Sequence, residues 1–502
     1  MAVDQIGSSA RAVRKADRIG TPRGTTMRKV RRTAALLLVA ALVGTCGATF
    51  PDHGGPGWAS PGLVGGGGWP FAGVPVSAEA AKGASYIPGS SVLRLGDGRV
   101  RLVPFGTDTV ITVEASDPRV EDAVLADTVW LTGGAVPDGG KATPAASREV
   151  YREMAERALL DLRLLTRPNG ASQASWYGAW RYSWPRDSAF TAAAFVMTGH
   201  LPEARRILRF LAGVQDGNGQ WAARYHADGT AVTDGREPQL DSLGWVLWAS
   251  WLFRAQAPEA AGDLPELWPM VVRAADHLTG SLDAEGLPPP SSDYWERKPD
   301  TEEDPRRPTL GVVGPVLAGL RSAASLALGV GQREKASEWG RAAQRVAAAV
   351  EQQFTPYGYP RSPVRGGLMD TSVTFVAPPF APSDPGVDEA VANAFRRTSL
   401  PNGGVLPGEK WSGNPDVAWT PEMALFALTA ATSGRAAEAV SHLDWLAAHR
   451  TSLGVLSEKV DEHGEPASVA PLGWTASVVL LALSALERPL PIPGAAQEPR
   501  VS

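Results

Sequence analysis

Pro290-Ser291-Ser292-Asp293-Tyr294-Trp295-Glu296 places a carboxylate directly after two aromatic side chains, in a chain of 502 residues with 17 Trp and one Cys. A Glu held against indole and phenol surface is poorly hydrated, so its charged form is disfavoured and it keeps a proton towards neutral pH. That is what a general acid needs. The plainer reading is a surface Glu beside a half-buried Trp, because structural networks also perturb carboxylates. Taken alone, the stretch favours the plainer reading.

Three other stretches carry compatible chemistry. Trp180-Arg181-Tyr182-Ser183-Trp184-Pro185-Arg186-Asp187 stands at a helix start. Arg186 is a planar fork suited to oxygen atoms, and Asp187 can accept sugar hydroxyls or cap the helix. Trp180 and Trp184 offer flat faces that suit the C–H face of a pyranose. Trp221, Tyr225 and His226 precede Gln239-Leu240-Asp241-Ser242-Leu243-Gly244-Trp245, where Asp241 and Trp245 share a helix face. Asp241 could equally serve only to complement the helix dipole. Leu456-Ser457-Glu458-Lys459-Val460-Asp461 supplies a second loop carboxylate far along the chain. Its flanking charges make a solvated loop the plainer reading of Glu458, and its twin Glu409 leaves the choice between the two open. Two such carboxylates on one rim are the minimum kit for glycoside hydrolysis, one protonating the leaving oxygen and the other activating water.

To share a rim, these loops need a scaffold, and from Ser147 onward the sequence reads as helix. Ser147 is expected to N-cap the first of them. Apolar periodicity predicts helices over 148–166, 187–198, 202–215, 239–256, 266–281, 307–328, 332–353, 386–397, 417–431, 435–449 and 470–486, with a short one at 371–376. Short connections such as Gly199-His200-Leu201 and Thr432-Ser433-Gly434 alternate with long ones such as 217–238 and 451–469. That pattern implies helical hairpins whose long loops gather at one end. Six of them closed in a ring make an all-α (α/α)6 toroid over 147–487. An internal repeat agrees: Gly404-Val405-Leu406-Pro407-Gly408-Glu409-Lys410 precedes Trp419-Thr420, as Gly454-Val455-Leu456-Ser457-Glu458-Lys459 precedes Trp474-Thr475.

Ahead of the toroid, residues 85–140 read as a small β appendage, with a hairpin turn at Asp97-Gly98. Residues 49–84 are a Gly/Pro-rich linker, and 488–502 a C-terminal tail. Residues 1–48 form a leader with an export signal: Met27-Arg28-Lys29-Val30-Arg31-Arg32 precedes an apolar run, Thr33 to Thr45. The run is short of the about 20 residues of a spanning helix. Cys46 offers the alternative of a lipid anchor, so the expected location is secreted or cell-surface. A net charge of −5 gives no basic footprint for nucleic acid. One Cys and no HExxH or HxxxH pair leave no Cys- or His-led metal site, and neither metal nor organic cofactor is expected. The chain is expected to act as a monomer.

Together, Tyr182-Ser183-Trp184-Pro185-Arg186-Asp187, Gln239-Leu240-Asp241-Ser242-Leu243-Gly244-Trp245, Asp293-Tyr294-Trp295-Glu296 and Glu458 before a final Trp-Thr helix resemble glycoside hydrolase family 15. This is the glucoamylase-like family, which includes glucodextranases and some bacterial trehalases. The resemblance spans about residues 147–487 and implies an (α/α)6 barrel that cleaves an α-glucosidic bond with inversion. By matching motifs, Glu296 would be the general acid and Glu458 the general base. Arg186 and Asp187 would hold the sugar at the pocket bottom, Trp184 and Trp295 would line it, and Asp241 and Glu409 would belong to the substrate-binding set. The implied partner is an oligo- or polysaccharide. Three features depart from the family. Val405, Leu406, Pro407 and Gly408 fill a stretch where relatives often carry an Arg. The β segment is short where bacterial relatives usually have a large sandwich. Arg297 follows the acid, and an adjacent cation favours the charged form of Glu296. A disaccharide phosphorylase and an inactive glycan-binding toroid are the competing readings.

Overall fold

A computed structural model describes residues 82–102, 110–176, 178–257, 259 and 264–494. The expected export signal and nearly all of the linker lie outside the described residues. The first strands form an antiparallel meander in chain order: β1 (Ser85–Tyr86), β2 (Leu93–Arg94), β3 (Val100–Leu102) and β4 (Ile111–Val113). The expected turn joins β2 to β3, with Gly98 at φ 87°.

Residues 118–132, expected within the β appendage, instead form helix α1 (Pro118–Thr132). Asp117 caps it by accepting the Arg119 N–H at 3.0 Å, and Pro118 stands at its first position. Helix α2 (Ala145–Leu165) begins two residues before Ser147. Ser147 is therefore not the N-cap. That position falls to Pro144, whose carbonyl accepts the Ser147 N–H at 3.0 Å in the first turn.

The remaining helices alternate in character. Helices α3 (Pro185–Met197), α5 (Leu240–Gln256), α7 (Leu310–Gly329), α10 (Thr420–Thr432) and α12 (Gly473–Glu487) are buried over most or all of their length. Helices α4 (Leu201–Val214), α6 (Leu264–Ser281), α8 (Arg333–Gln353), α9 (Pro385–Thr398) and α11 (Ala436–Ala448) are amphipathic. In α8, for example, only Ala336, Trp339, Ala342, Ala343, Val346, Ala349 and Val350 are buried, at the spacing of one helix face.

A helix apolar all round must be walled in on all sides, whereas an amphipathic one covers an inner layer. Accordingly α3, α5, α7, a 3-10 segment at Thr371–Val376, α10 and α12 pack in sequence into a closed inner ring, and the amphipathic helices and α2 form the outer layer. This is the (α/α)6 toroid. Each long loop (166–184, 215–239, 282–309, 354–370, 399–419 and 449–472) runs from an outer helix to the start of an inner element. All six therefore gather where the inner N-termini point. Gly244 and Gly319 let α5 and α7 touch, since a Cβ on Gly244 would lie 2.1 Å from the Pro315 carbonyl oxygen. Aromatic rings fill the ring's centre: Trp245 lies 5.0 Å from Phe190, 5.0 Å from Phe375 and 4.8 Å from Phe380.

The meander is tied to this scaffold on two sides. Val92, Val100 and Leu102 pack with Val120 and Ala123 of α1. Leu93 and Leu95 pack against Leu453, Val455 and Ala470, in the loop that carries Glu458. The appendage thus buttresses the loop that carries Glu458. Leu93 is fully buried, so Leu93→Ala should cost about 2–5 kcal/mol of unfolding free energy in denaturant titrations. The 65%-exposed Leu328, changed to Ala, should cost less than about 0.5 kcal/mol.

Candidate active site

The site is built around Arg186, in the first turn of α3 and 4% exposed. Its guanidinium meets Asp241 at 3.0 Å, Glu296 at 3.0 Å and Asp187 at 3.4 Å. Burial opposes the guanidinium's charge, but these carboxylates outweigh burial and hold its pKa well above the ordinary Arg value. Burial pushes Asp187 up to about 6; Arg186 pulls it back, while Glu296 and Glu458 push it further. Burial likewise pushes Asp241 up to about 7, against the pull of Arg186 and with added repulsion from Asp293 and Glu296. Asp241 is therefore more than a dipole complement. Its partner Trp245 on the same helix face belongs to the aromatic core.

Glu296 lies on the loop between α6 and α7 with φ 56°, a left-handed conformation closed by its N–H bonding to Asp293 O at 2.8 Å. Oε1 accepts from Arg186 at 3.0 Å and from the Gln239 amide at 2.9 Å. Oε2 accepts from Arg236 at 2.5 Å. Arg297 turns away from this carboxylate: its guanidinium stands 4.5 Å from the Trp411 ring centre and donates to Ser412 Oγ at 2.6 Å.

A second buried arginine, Arg361, holds this loop from below. It pairs with Asp293 at 2.9 Å, Glu302 at 2.7 Å and Asp370 at 2.8 Å. Its guanidinium lies 3.8 Å from the Trp295 ring centre. Asp293 in turn accepts the Trp295 N–H at 3.0 Å and the Thr309 hydroxyl at 2.6 Å, and Tyr294 donates to Asp370 at 2.9 Å. Gly408 leaves room for this packing, since a Cβ there would lie 2.6 Å from the Trp295 ring.

Glu458 approaches from the loop before α12 and is 5% exposed. Oε1 accepts from the Trp180 indole N–H at 2.9 Å, and Oε2 from the Ser468 hydroxyl at 2.5 Å, with Lys459 at 3.4 Å. The strand β6 (Lys459–Val460) that follows it pairs with β5 (Ala418–Trp419) and β7 (Pro466–Ala467). Both Glu296 and Glu458 lie within electrostatic reach of Asp187.

Trp184 is the N-cap residue of α3, with the Arg224 guanidinium 4.9 Å from its ring centre. Glu409 has other partners: it accepts the Met369 N–H at 2.8 Å and faces Arg397 at 3.4 Å. Its repeat twin Glu458 is the one whose charge is felt at Asp187. Sequence reasoning assigned no role to Arg236, Gln239, Arg361 or Ser468. Gln239 stood inside a quoted motif. The others sit in loops without periodicity, where nothing local reveals their partners. Trp180, expected as a flat sugar platform, acts here as a hydrogen-bond donor to a carboxylate.

Residues 165–413 match the family model for glycosyl hydrolases family 15. That span contains Arg186, Asp187, Asp241, Glu296 and Glu409, and ends before Glu458. Among solved structures, a wild-type glycosidase is similar at 20% identity and TM-score 0.57, over 69% of this chain and 99% of that one. A bacterial glucoamylase complexed with acarbose is similar at 18% identity and TM-score 0.57, over 76% of this chain and 64% of that one. The glucoamylase of Saccharomycopsis fibuligera is similar at 13% identity and TM-score 0.56, over 70% and 96%. No curated protein matches the chain.

Removing Arg361 would leave Asp293, Glu302 and Asp370 without their common cation. Arg361→Met should therefore cost about 3–5 kcal/mol of stability. The loss should be larger at pH 8 than at pH 5, because buried carboxylates deprived of a cation can take up protons at the lower pH. Denaturant unfolding at both pH values checks this.

Proposed function

We propose that this chain, a glycoside hydrolase that belongs to glycosyl hydrolases family 15, releases glucose from an α-glucoside with inversion at the anomeric carbon. The observation that carries the reading is the 3.0 Å pairing of Glu296 with the buried Arg186, together with a second buried carboxylate, Glu458, from another loop of the same rim that repels Asp187. Glu296 is the general acid and Glu458 the general base. The acarbose and glucose carried by related structures support a glucoside substrate.

In this mechanism Arg186 and Asp187 hold hydroxyls of the terminal sugar, with Asp241 fixing the Arg186 fork from behind. Glu296 Oε1 stays on Arg186 and Gln239. Oε2, which faces the half-exposed Arg236, is the oxygen the glycosidic bond reaches once the substrate displaces that guanidinium. The proton passes from Glu296 to the leaving oxygen as the C–O bond breaks. On the other face Glu458, steered by Trp180 and Ser468, takes a proton from the attacking water. An inverting pair needs room for that water, roughly 6.5–9.5 Å between carboxyls. Glu409 supports the loop wall through Met369 rather than taking the proton.

We also infer export to the cell surface or medium, from the basic stretch Arg28–Arg32 ahead of its apolar run.

Glu296→Gln and Glu458→Gln should each lower kcat at least about 10²-fold with unfolding midpoints preserved, whereas Glu409→Gln should retain turnover. A Glu458→Gln enzyme at full rate beside an inactive Glu409→Gln enzyme would reverse the assignment of the base. NMR of the first product from maltose, isomaltose, trehalose and dextran identifies the linkage. Initial β-glucose is expected, and initial α-glucose would refute inversion.

A further inference from the structure

Glu422 is a buried carboxyl that the mechanism above does not use. It is the third residue of α10 after the N-cap Trp419, as Asp187 is the third residue of α3 after the N-cap Trp184. Trp-Thr-Pro-Glu and Trp-Pro-Arg-Asp thus deliver carboxyls to equivalent places in the inner ring. They flank α12, whose preceding loop carries Glu458. Glu422 is 2% exposed and its Oε2 has no hydrogen-bond partner, whereas Asp187 Oδ2 at the equivalent place faces Arg186 at 3.4 Å. The start of α10 is tied directly to the base: the Thr420 N–H and hydroxyl donate to the Glu458 carbonyl at 3.0 and 3.1 Å. The charged groups that face Glu422 are Glu458 and Lys459 from that loop and Asp370 from ahead of the 3-10 segment, with the Tyr294 phenol nearby.

We propose that Glu422 is a proton-bearing positioning residue for the base, a neutral acid in the helix turn bonded to the Glu458 carbonyl, that keeps a second negative charge out of the site. The inference rests on the reading of Glu458 as the base. Two anions side by side in a dry site raise each other's hold on protons. A charged Glu422 would therefore keep Glu458 protonated, and idle, at acidic pH. The chemistry of the position agrees. Burial, then repulsion from Glu458 and Asp370, pushes the Glu422 carboxyl from 4.5 up to about 8, against its own backbone N–H and Lys459.

The sign of the linkage follows from that direction. Below its unfolded value the group is neutral in both states. As pH rises towards 8 only the unfolded chain ionises it freely, so it costs increasing stability. Infrared difference spectra of wild type against Glu422→Gln should show a protonated-carboxyl band at pH 6 that fades as pH passes about 8. The melting temperature of Glu422→Gln should gain on wild type by about 3 °C or more between pH 5 and pH 8. The acid limb of its kcat/KM profile should overlie that of wild type, because no charge has been removed. Glu422→Ala should lose at least about tenfold in kcat/KM at pH 6, with Gln recovering most of it. No band at pH 6, or an acid limb moved down by about one pH unit in Glu422→Gln, overturns the proposal, since either means that Glu422 is ionised. Failure of the base assignment reads differently: Glu458→Gln then keeps its turnover, while the band and the pH-linked stability remain.

Discussion

A guanidinium taken out of water keeps its charge only if anions replace the lost hydration at close range. Arg186 has three, from the same turn of α3, from the start of α5 and from the loop before α7. No single element can satisfy it. The ring must bring α3 and α5 side by side and fold the 282–309 loop back over them before the charge is tolerable. Arg361 repeats the arrangement one layer behind, with two carboxylates from the 282–309 loop and one from the approach to the 3-10 segment. Between them the two arginines fix both ends of the Asp293–Glu296 turn. The geometry of the Glu296 loop is thus an electrostatic requirement of the core as much as a product of packing.

The connectivity explains why chemistry collects at one end. Every long loop leads into the N-terminus of an inner element, where unpaired N–H groups and the positive end of the helix dipole favour negative side chains. Asp187, Asp241 and Glu422 all stand in such first turns. The dipoles lower the cost of their burial without abolishing it. Asp187, Asp241 and Glu422 consequently hold their protons to higher pH than ordinary carboxyls. One ring can in this way hold its carboxyls to different proton affinities, which the proposed acid–base chemistry requires.

The toroid was largely legible because its signal is local and repeated. Apolar periodicity and the short–long alternation of loops place the inner and outer helices within a few residues. The exceptions have local causes too. A capped, proline-led helix at 118–132 hid inside a Val- and Thr-bearing stretch, and Pro144 took the capping position from Ser147. The site was legible only where motif residues do the work themselves. Glu409 and Glu458 are near-identical in sequence context, yet one is spent on Met369 and Arg397 and the other is held by Trp180 and Ser468 within electrostatic reach of Asp187. What separates them is which inner helix each loop feeds, and that is a property of the closed ring. Arg236 and Arg361 were invisible for the same reason, since their bonds to Glu296 and Asp293 span 60 and 68 residues.

Arg297 shows how far adjacency in sequence misleads. A cation next to the acid argues for a charged Glu296 if the two side chains share a side of the chain. The left-handed turn at Glu296 separates them: one side chain goes to Arg186 and Gln239, the other out over Trp411 to Ser412. The cations that do reach Glu296 are Arg186 and Arg236, from other loops. They differ in kind. Arg186 is buried and bound by two further carboxylates, so it cannot leave. Arg236 is 36% exposed, shares Asp234, and sits on a loop. Only the second can yield its place to a substrate oxygen. In the proposed mechanism the working oxygen of Glu296 is therefore set by the unequal burial of its two arginines, and the residue beside it in sequence has no part in the choice.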